Sequence, residues 1–70
     1  MGAAEQLGAN IRRERRAAAL SQMALAERSG LHFTEVSRLE LAERDPRLST
    51  ILKVARGLGI PLSRLLDGIR

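Results

Sequence analysis

Phe33, Thr34, Ser37 and Arg38 lie on one side of a helical stretch whose other side carries Val36 and Leu39. Two apolar positions three apart send one stripe into a core and leave the opposite face free. A guanidinium at Arg38 can bond two acceptors of one planar partner together, as guanine O6 and N7 offer, worth about 1–3 kcal/mol of discrimination. An ion pair with Glu35, three residues back, is the competing use of that charge. The hydroxyls of Thr34 and Ser37 donate, accept or offer a methyl, so neither specifies one partner. Phe33 can pack on a thymine methyl, fold back over Leu31 or cover a partner's surface. Catalytic constellations are poor by contrast. His32 is the one histidine and there is no cysteine, so neither a metal site nor a nucleophilic triad has its parts. The glycines form neither GxGxxG nor a Walker loop. The eight acids, mostly glutamates, read as solvated helix faces. No enzyme, metal or cofactor is expected.

Helices must position that face. Ser21 is a candidate N-cap, Gln22 opens a helix running to about Ser29, and Leu25 and Ala26 supply its buried side. Ala26 is small where two axes must cross closely, and Gly30 can take the positive φ of a sharp exit. Leu31 plugs the corner, and the next helix runs from about Phe33 to at least Leu41. Upstream, Leu7, Ile11 and Ala18 share one face of a first helix over roughly 4–18, with Arg12, Arg13 and Arg16 pointing elsewhere. Asp45-Pro46 reads as a loop. Leu48, Ile51, Leu52, Ala55 and Leu58 line a fourth helix stopped by Gly57 or Gly59. Ile60-Pro61 begins a last segment that Ser63 can cap, with Leu62, Leu65 and Leu66 finishing the core and Gly68 stopping it. With one aromatic residue and no sustained alternation, β signals are absent, so the fold class is all-α, five short helices around one core.

Seventy residues make one domain, 1–70, burying roughly 60% of the unfolded surface and hence of marginal stability. Lack of cysteine fits a reducing cytosol, no apolar run spans a membrane, and MGAAEQLG has no signal core, so a cytoplasmic location is expected. The net charge is +4, and of the twelve basic residues only Lys53 is a lysine. Arginine's fork suits phosphate and the guanine edge, although genomic base composition alone also favours Arg over Lys.

The order IRRER, LSQMALAERSGL, VSRLE and DPRLSTILKVARGLGIPLSRLL resembles the Cro/C1-type, or Xre-like, helix-turn-helix domain of lambdoid phage repressors and many bacterial regulators. The match spans about residues 7–68. It implies a compact lambda-repressor-like domain whose helices 2 and 3 form the helix-turn-helix, with helix 3 in the major groove of double-stranded DNA. By that resemblance Phe33, Thr34, Ser37 and Arg38 occupy base-reading positions. Ser21 and Gln22 at the start of helix 2, and Arg44 and Arg47 around Asp45-Pro46, occupy phosphate-contacting ones. Arg15 and Glu40 match positions that pair in some members to tie helix 1 to helix 3. Departures from the family pattern carry expectations of their own. Ala19 and Ala42 stand where the family often has glycine, so helix 3 should run on toward Arg44 and let Glu40 pair with it at i,i+4. His32 replaces the usual small hydroxyl cap, and Phe33 is an aromatic at a normally polar reading position.

A sequence-specific transcriptional regulator follows, binding as a homodimer to a pseudo-palindromic operator. Ile69, with Leu65 and Leu66 more occupied by the core, is the candidate for a dimer patch. A further regulatory domain or partner protein fits the same scheme. The alternative class is a protein-interaction module of the same fold, a coactivator, antitoxin or accessory subunit binding DNA weakly or non-specifically.

Overall fold

Four of the five helices end the same way, and those ends set the shape of the chain. The computed structural model describes residues 2–70. Its helices are α1 (Ala3–Ala17), α2 (Gln22–Ser29), α3 (Phe33–Glu40), α4 (Leu48–Leu58) and α5 (Leu62–Leu65). After α1, α2, α3 and α4 one residue turns left-handed: Ala19, Gly30, Ala42 and Gly59, with φ of 57°, 68°, 57° and 68°. At each, that residue's N–H and the next one's reach back to the last turn. The four outer bonds are Leu20 to Arg15, Leu31 to Ala26, Glu43 to Arg38 and Ile60 to Ala55. This paired closure satisfies carbonyls that the helix leaves orphaned. The residue after the left-handed one is apolar in three cases, and Leu20, Leu31 and Ile60 all pack against the core. Burial of that side chain draws the chain inward and stops the helix.

The closures at alanine correct two expectations. Helix α3 does not continue toward Arg44, since Leu41 is its cap and Ala42 is already left-handed. No Glu40–Arg44 pair forms among the described residues. Alanine, the strongest helix former, hides such a stop from a reading by residue type. Two smaller corrections concern caps and burial. Pro61, not Ser63, precedes α5. Of the two glycines offered as the stop of α4, Gly59 is the one that ends it. Ala18, Leu48 and Leu66 are exposed, whereas Val54, which the helical spacing passes over, is fully buried.

The core joins Leu7 and Ile11 of α1, Leu25 and Ala26 of α2, Val36 and Leu39 of α3, Val54, Ala55 and Leu58 of α4, and Leu65 of α5. α2 packs against both α3 and α4, while α1 bridges α3 and α5. Two glycines permit the closest approaches. A Cβ at Gly8 would stand 2.6 Å from the carbonyl oxygen of Leu39, and one at Gly57 would strike Ser29. Asn10, wholly buried, donates to the carbonyls of Leu65 and Asp67 at 2.8 Å each and accepts from Gln6, fastening the C-terminal segment to α1. The pairing of α2 with α3 is thus braced from both sides, by α4 behind and α1 across.

A left-handed alanine costs roughly 1–2 kcal/mol that glycine avoids, while glycine forfeits about 0.4–1 kcal/mol through a freer unfolded chain. Ala19→Gly and Ala42→Gly should therefore each stabilise by about 0.5–1 kcal/mol, raising Tm by roughly 2–8 °C in a domain of this size. Thermal denaturation checks this; a fall in Tm at either site would refute the strain assigned to it.

Candidate nucleic-acid interface

The outward face of α3 keeps its one cationic group unspent. Among the described residues the Arg38 guanidinium has no hydrogen-bond or ion-pair partner. Glu35, its expected competitor, instead accepts from the backbone N–H of His32 at 3.2 Å, which closes the start of α3. His32 thus caps the helix by position, without a side-chain cap bond, and its Nδ1 lies 3.5 Å from the Thr34 hydroxyl. Phe33 is 43% exposed, Thr34 is exposed and Ser37 half-buried. Leu31 packs on the core, and the Phe33 ring is exposed.

Arg38 also borders a cleft of about 270 Å³ between α3 and the start of α4. Arg44 and Arg47 line the same cleft with Glu35, Asp45 and Thr50. The left-handed closure at Ala42 folds the 41–47 loop back beside α3, bringing these three arginines together. At the other end of the helix-turn-helix, Ser21 caps α2, its Oγ accepting from the Ala24 N–H at 3.0 Å. The hydroxyl hydrogen remains available to an outside acceptor. Gln22 is half-buried, and its Nε2 donates to Glu40 Oε1 at 3.1 Å.

Glu40 holds the frame. Its side chain is 0% exposed, yet four donors from three residues reach it. Arg15 gives Nε to Oε2 at 2.6 Å and Nη2 to Oε1 at 3.0 Å. Arg12 gives Nε to Oε1 at 3.3 Å. The remaining Nη1 of Arg15 donates to the carbonyl of Leu20 at 2.9 Å. The Arg15–Glu40 link between α1 and α3 is therefore present. Arg12, read from sequence as pointing elsewhere, also belongs to the cluster, and so does Gln22. The signal for Arg12 was its i,i+3 spacing from Arg15, which puts both on one stripe of α1.

Burial pushes the Glu40 carboxyl upward, but hydrogen bonds from Arg15 and Gln22, the charge of Arg15 and the bond from Arg12 outweigh it. The net effect holds the group below the ordinary carboxylate range. The hydrogen bond to Glu40 raises Arg15 above its usual value, opposed by burial and aided by the carboxylate's charge. No group of histidine, cysteine or acid residues arranged to hold a metal ion occurs among the described residues. Nor is any helix there long and apolar enough to cross a membrane.

Comparison with known proteins agrees with this geometry. The family described as helix-turn-helix, HTH_3, matches residues 11–65. The control protein C.SmaI of Serratia marcescens is 42% identical over 62 residues, 89% of this chain and 74% of that protein. The crystal structure of the restriction-modification controller protein C.AhdI from Aeromonas hydrophila superposes with a TM-score of 0.86 at 37% identity. It covers 89% of this chain and 94% of that one. A hypothetical transcription factor, NHTF, from Neisseria superposes at 0.87 with 36% identity, over 91% of this chain and 74% of that one.

The cluster makes a signed prediction. A carboxyl depressed in the folded state stabilises fully above its unfolded value, about pH 4.3, and loses that contribution as pH falls through the depressed one. The raised Arg15 is charged throughout that range, so only Glu40 acts there. Glu40→Gln should be less stable at neutral pH and lose less on acidification than the wild type. Arg15→Ala should cost about 3–5 kcal/mol by removing the two shortest donors to a buried carboxylate and leaving it only Arg12 and Gln22. Thermal melts between neutral and acid pH test both, and parallel acid profiles for wild type and Glu40→Gln would remove Glu40 as the acid-sensitive group.

Proposed function

The chain belongs to the helix-turn-helix family HTH_3, and from that premise we propose that it is a dimeric controller of a restriction-modification system, reading a pseudo-palindromic operator. It is a DNA-binding transcriptional regulator and not an enzyme. The controller role is favoured by the C.SmaI and C.AhdI relatives, which match nearly all of this chain. In this reading α3 enters the major groove, and Phe33, Thr34, Ser37 and Arg38 meet base edges. Ser21 and Gln22 on one side, with Arg44 and Arg47 on the other, hold the phosphates. The observation that carries it is the unpartnered Arg38 at a cleft shared with Arg44 and Arg47. Such a group gains more from a guanine edge than from the solvent it already has.

A homodimer supplies what one short helix cannot, since four side chains distinguish few bases. Half-sites one helical turn apart are about 34 Å centre to centre, and two copies of a body 28 × 21 × 20 Å can reach both. At the C-terminal end Leu66 is the open apolar residue, 37% exposed, whereas Leu65 is buried and Ile69 packs partly on the core. Leu66 thus replaces Ile69 as the leading candidate for a contact between copies.

Selection of bound sequences from random duplexes tests the assignment. The wild type should return two related half-sites. Arg38→Ala should relax one base position in each, at a cost of about 1–3 kcal/mol. Arg44→Ala and Arg47→Ala should weaken all duplexes alike and flatten the salt dependence by about 0.9 in log–log slope per phosphate lost. An unchanged logo for Arg38→Ala would remove it as a reader, and equal weak binding to selected and random duplexes would favour a protein-interaction module instead.

A further inference from the structure

The cluster around Glu40 is not electrically balanced. Two guanidiniums, Arg12 and Arg15, meet one carboxylate, so one positive charge is in surplus. Arg15 cannot present it outward. Its side chain is 12% exposed, and its Nε, Nη1 and Nη2 are all bonded within the protein. Arg12 can, because its side chain is 42% exposed and only its Nε is bonded, leaving both Nη groups without a partner among the described residues.

Arg12 Nε and Gln22 Nε2 donate to the same oxygen, Glu40 Oε1, at 3.3 and 3.1 Å. A shared acceptor places the guanidinium of α1 and the carboxamide of α2 next to each other. We propose that Arg12 and Gln22, held together by Glu40, form a single DNA-phosphate clamp, with Glu40 as its positioning residue. This rests on the reading above that the amino end of α2 faces the DNA backbone. The bond to Glu40 fixes which way the carboxamide points, since the flipped amide would set Oε1 against a carboxylate oxygen. The second Nε2 hydrogen of Gln22, like the Arg12 Nη groups, has no partner among the described residues. The backbone N–H groups of Gln22 and Met23, in the first turn of α2, have no helical acceptor and add partial positive charge there. Ser21 has already claimed the Ala24 N–H. An arginine tethered at Nε has less rotamer freedom to surrender when a phosphate arrives, which favours Arg12 over Arg16, whose guanidinium has no bond among the described residues.

Duplex binding measured between about 50 and 200 mM salt separates this clamp from a structural role. Arg12→Gln should flatten the log–log slope by about 0.9 and weaken random and selected duplexes alike, roughly tenfold near 0.1 M salt, with Tm close to wild type. Gln22→Ala should weaken binding too, and the double variant should lose less than the product of the two. Glu40→Gln, if it folds, should lose affinity beyond what its lower Tm explains; the Arg12 and Gln22 variants decide the matter without it. A lower Tm with an unchanged slope for Arg12→Gln would make Arg12 structural and overturn the proposal. Multiplicative losses would make the two residues separate contacts and overturn the clamp. If Gln22→Ala also leaves binding untouched, the placement of α2 against the backbone fails with it, whereas a loss confined to Gln22 leaves that placement standing.

Discussion

A carboxylate without solvent exposure, at the last residue of α3, constrains everything around it. Removing Glu40 from water carries a cost that one imperfect partner would not offset. Four donors from Arg12, Arg15 and Gln22 meet that cost together, so the side chain is stable in one place only. That place links α1, α2 and α3. The backbone must cooperate, and it does at Gly8, where α1 lies so close to the Leu39 and Glu40 carbonyls that a Cβ would collide. Apolar packing of Val36 and Leu39 holds α3 against the core, but packing alone tolerates sliding. The ion-pair cluster adds registry, fixing how far along α1 the helix ends.

From that end point the chain turns at Ala42, and the turn decides where Arg44 and Arg47 go. A helix continuing to Arg44 would have carried the loop away from α3. The left-handed closure instead brings both arginines to the cleft that Arg38 borders. The three closures followed by Leu20, Leu31 or Ile60 are reinforced by apolar burial. The one at Ala42 is followed by Glu43 and relies on two backbone hydrogen bonds, of 3.2 and 3.1 Å. The burial of Glu40 just before it supplies the anchoring that an apolar residue supplies elsewhere.

Helical periodicity placed α1, α2, α4 and the start of α3 within a residue or two, because the buried face of each repeats at helical spacing and Ser21, Gly30 and Gly59 punctuate them. The four candidate readers were likewise legible as the residues opposite Val36 and Leu39. What stayed hidden depended on tertiary contact. Ala19 and Ala42 carry no local mark of a stop, and only the folded chain shows why they end helices. Asn10 reads as an ordinary polar residue of α1, yet it is wholly buried because two carbonyls of the C-terminal segment converge on it. Arg12 and Arg16 look alike in sequence; their difference lies in the distance to Glu40, on another helix. Gln22 was legible as a helix start through its neighbour Ser21, but its bond to Glu40 spans eighteen residues.

Eight residues of α3 thus carry two sets of duties that do not interfere. Val36, Leu39 and Glu40 are buried and have all their partners inside the protein, whereas Phe33, Thr34 and Arg38 are exposed and have few or none. Helical geometry makes this separation possible, since positions three and four apart share a side and their neighbours in sequence do not. Substitution on the outer set changes what the surface offers without leaving a cavity or an unpaired buried charge. Substitution on the inner set does the reverse. The two sets still communicate at one point, the Glu40 cluster, where a residue of the frame also orients Gln22 and Arg12 at the edge of the same surface. On the proposed reading, a change of target sequence would proceed through residues 33, 34, 37 and 38, while the grip on the DNA backbone would stay tied to the packing of α1 on α3.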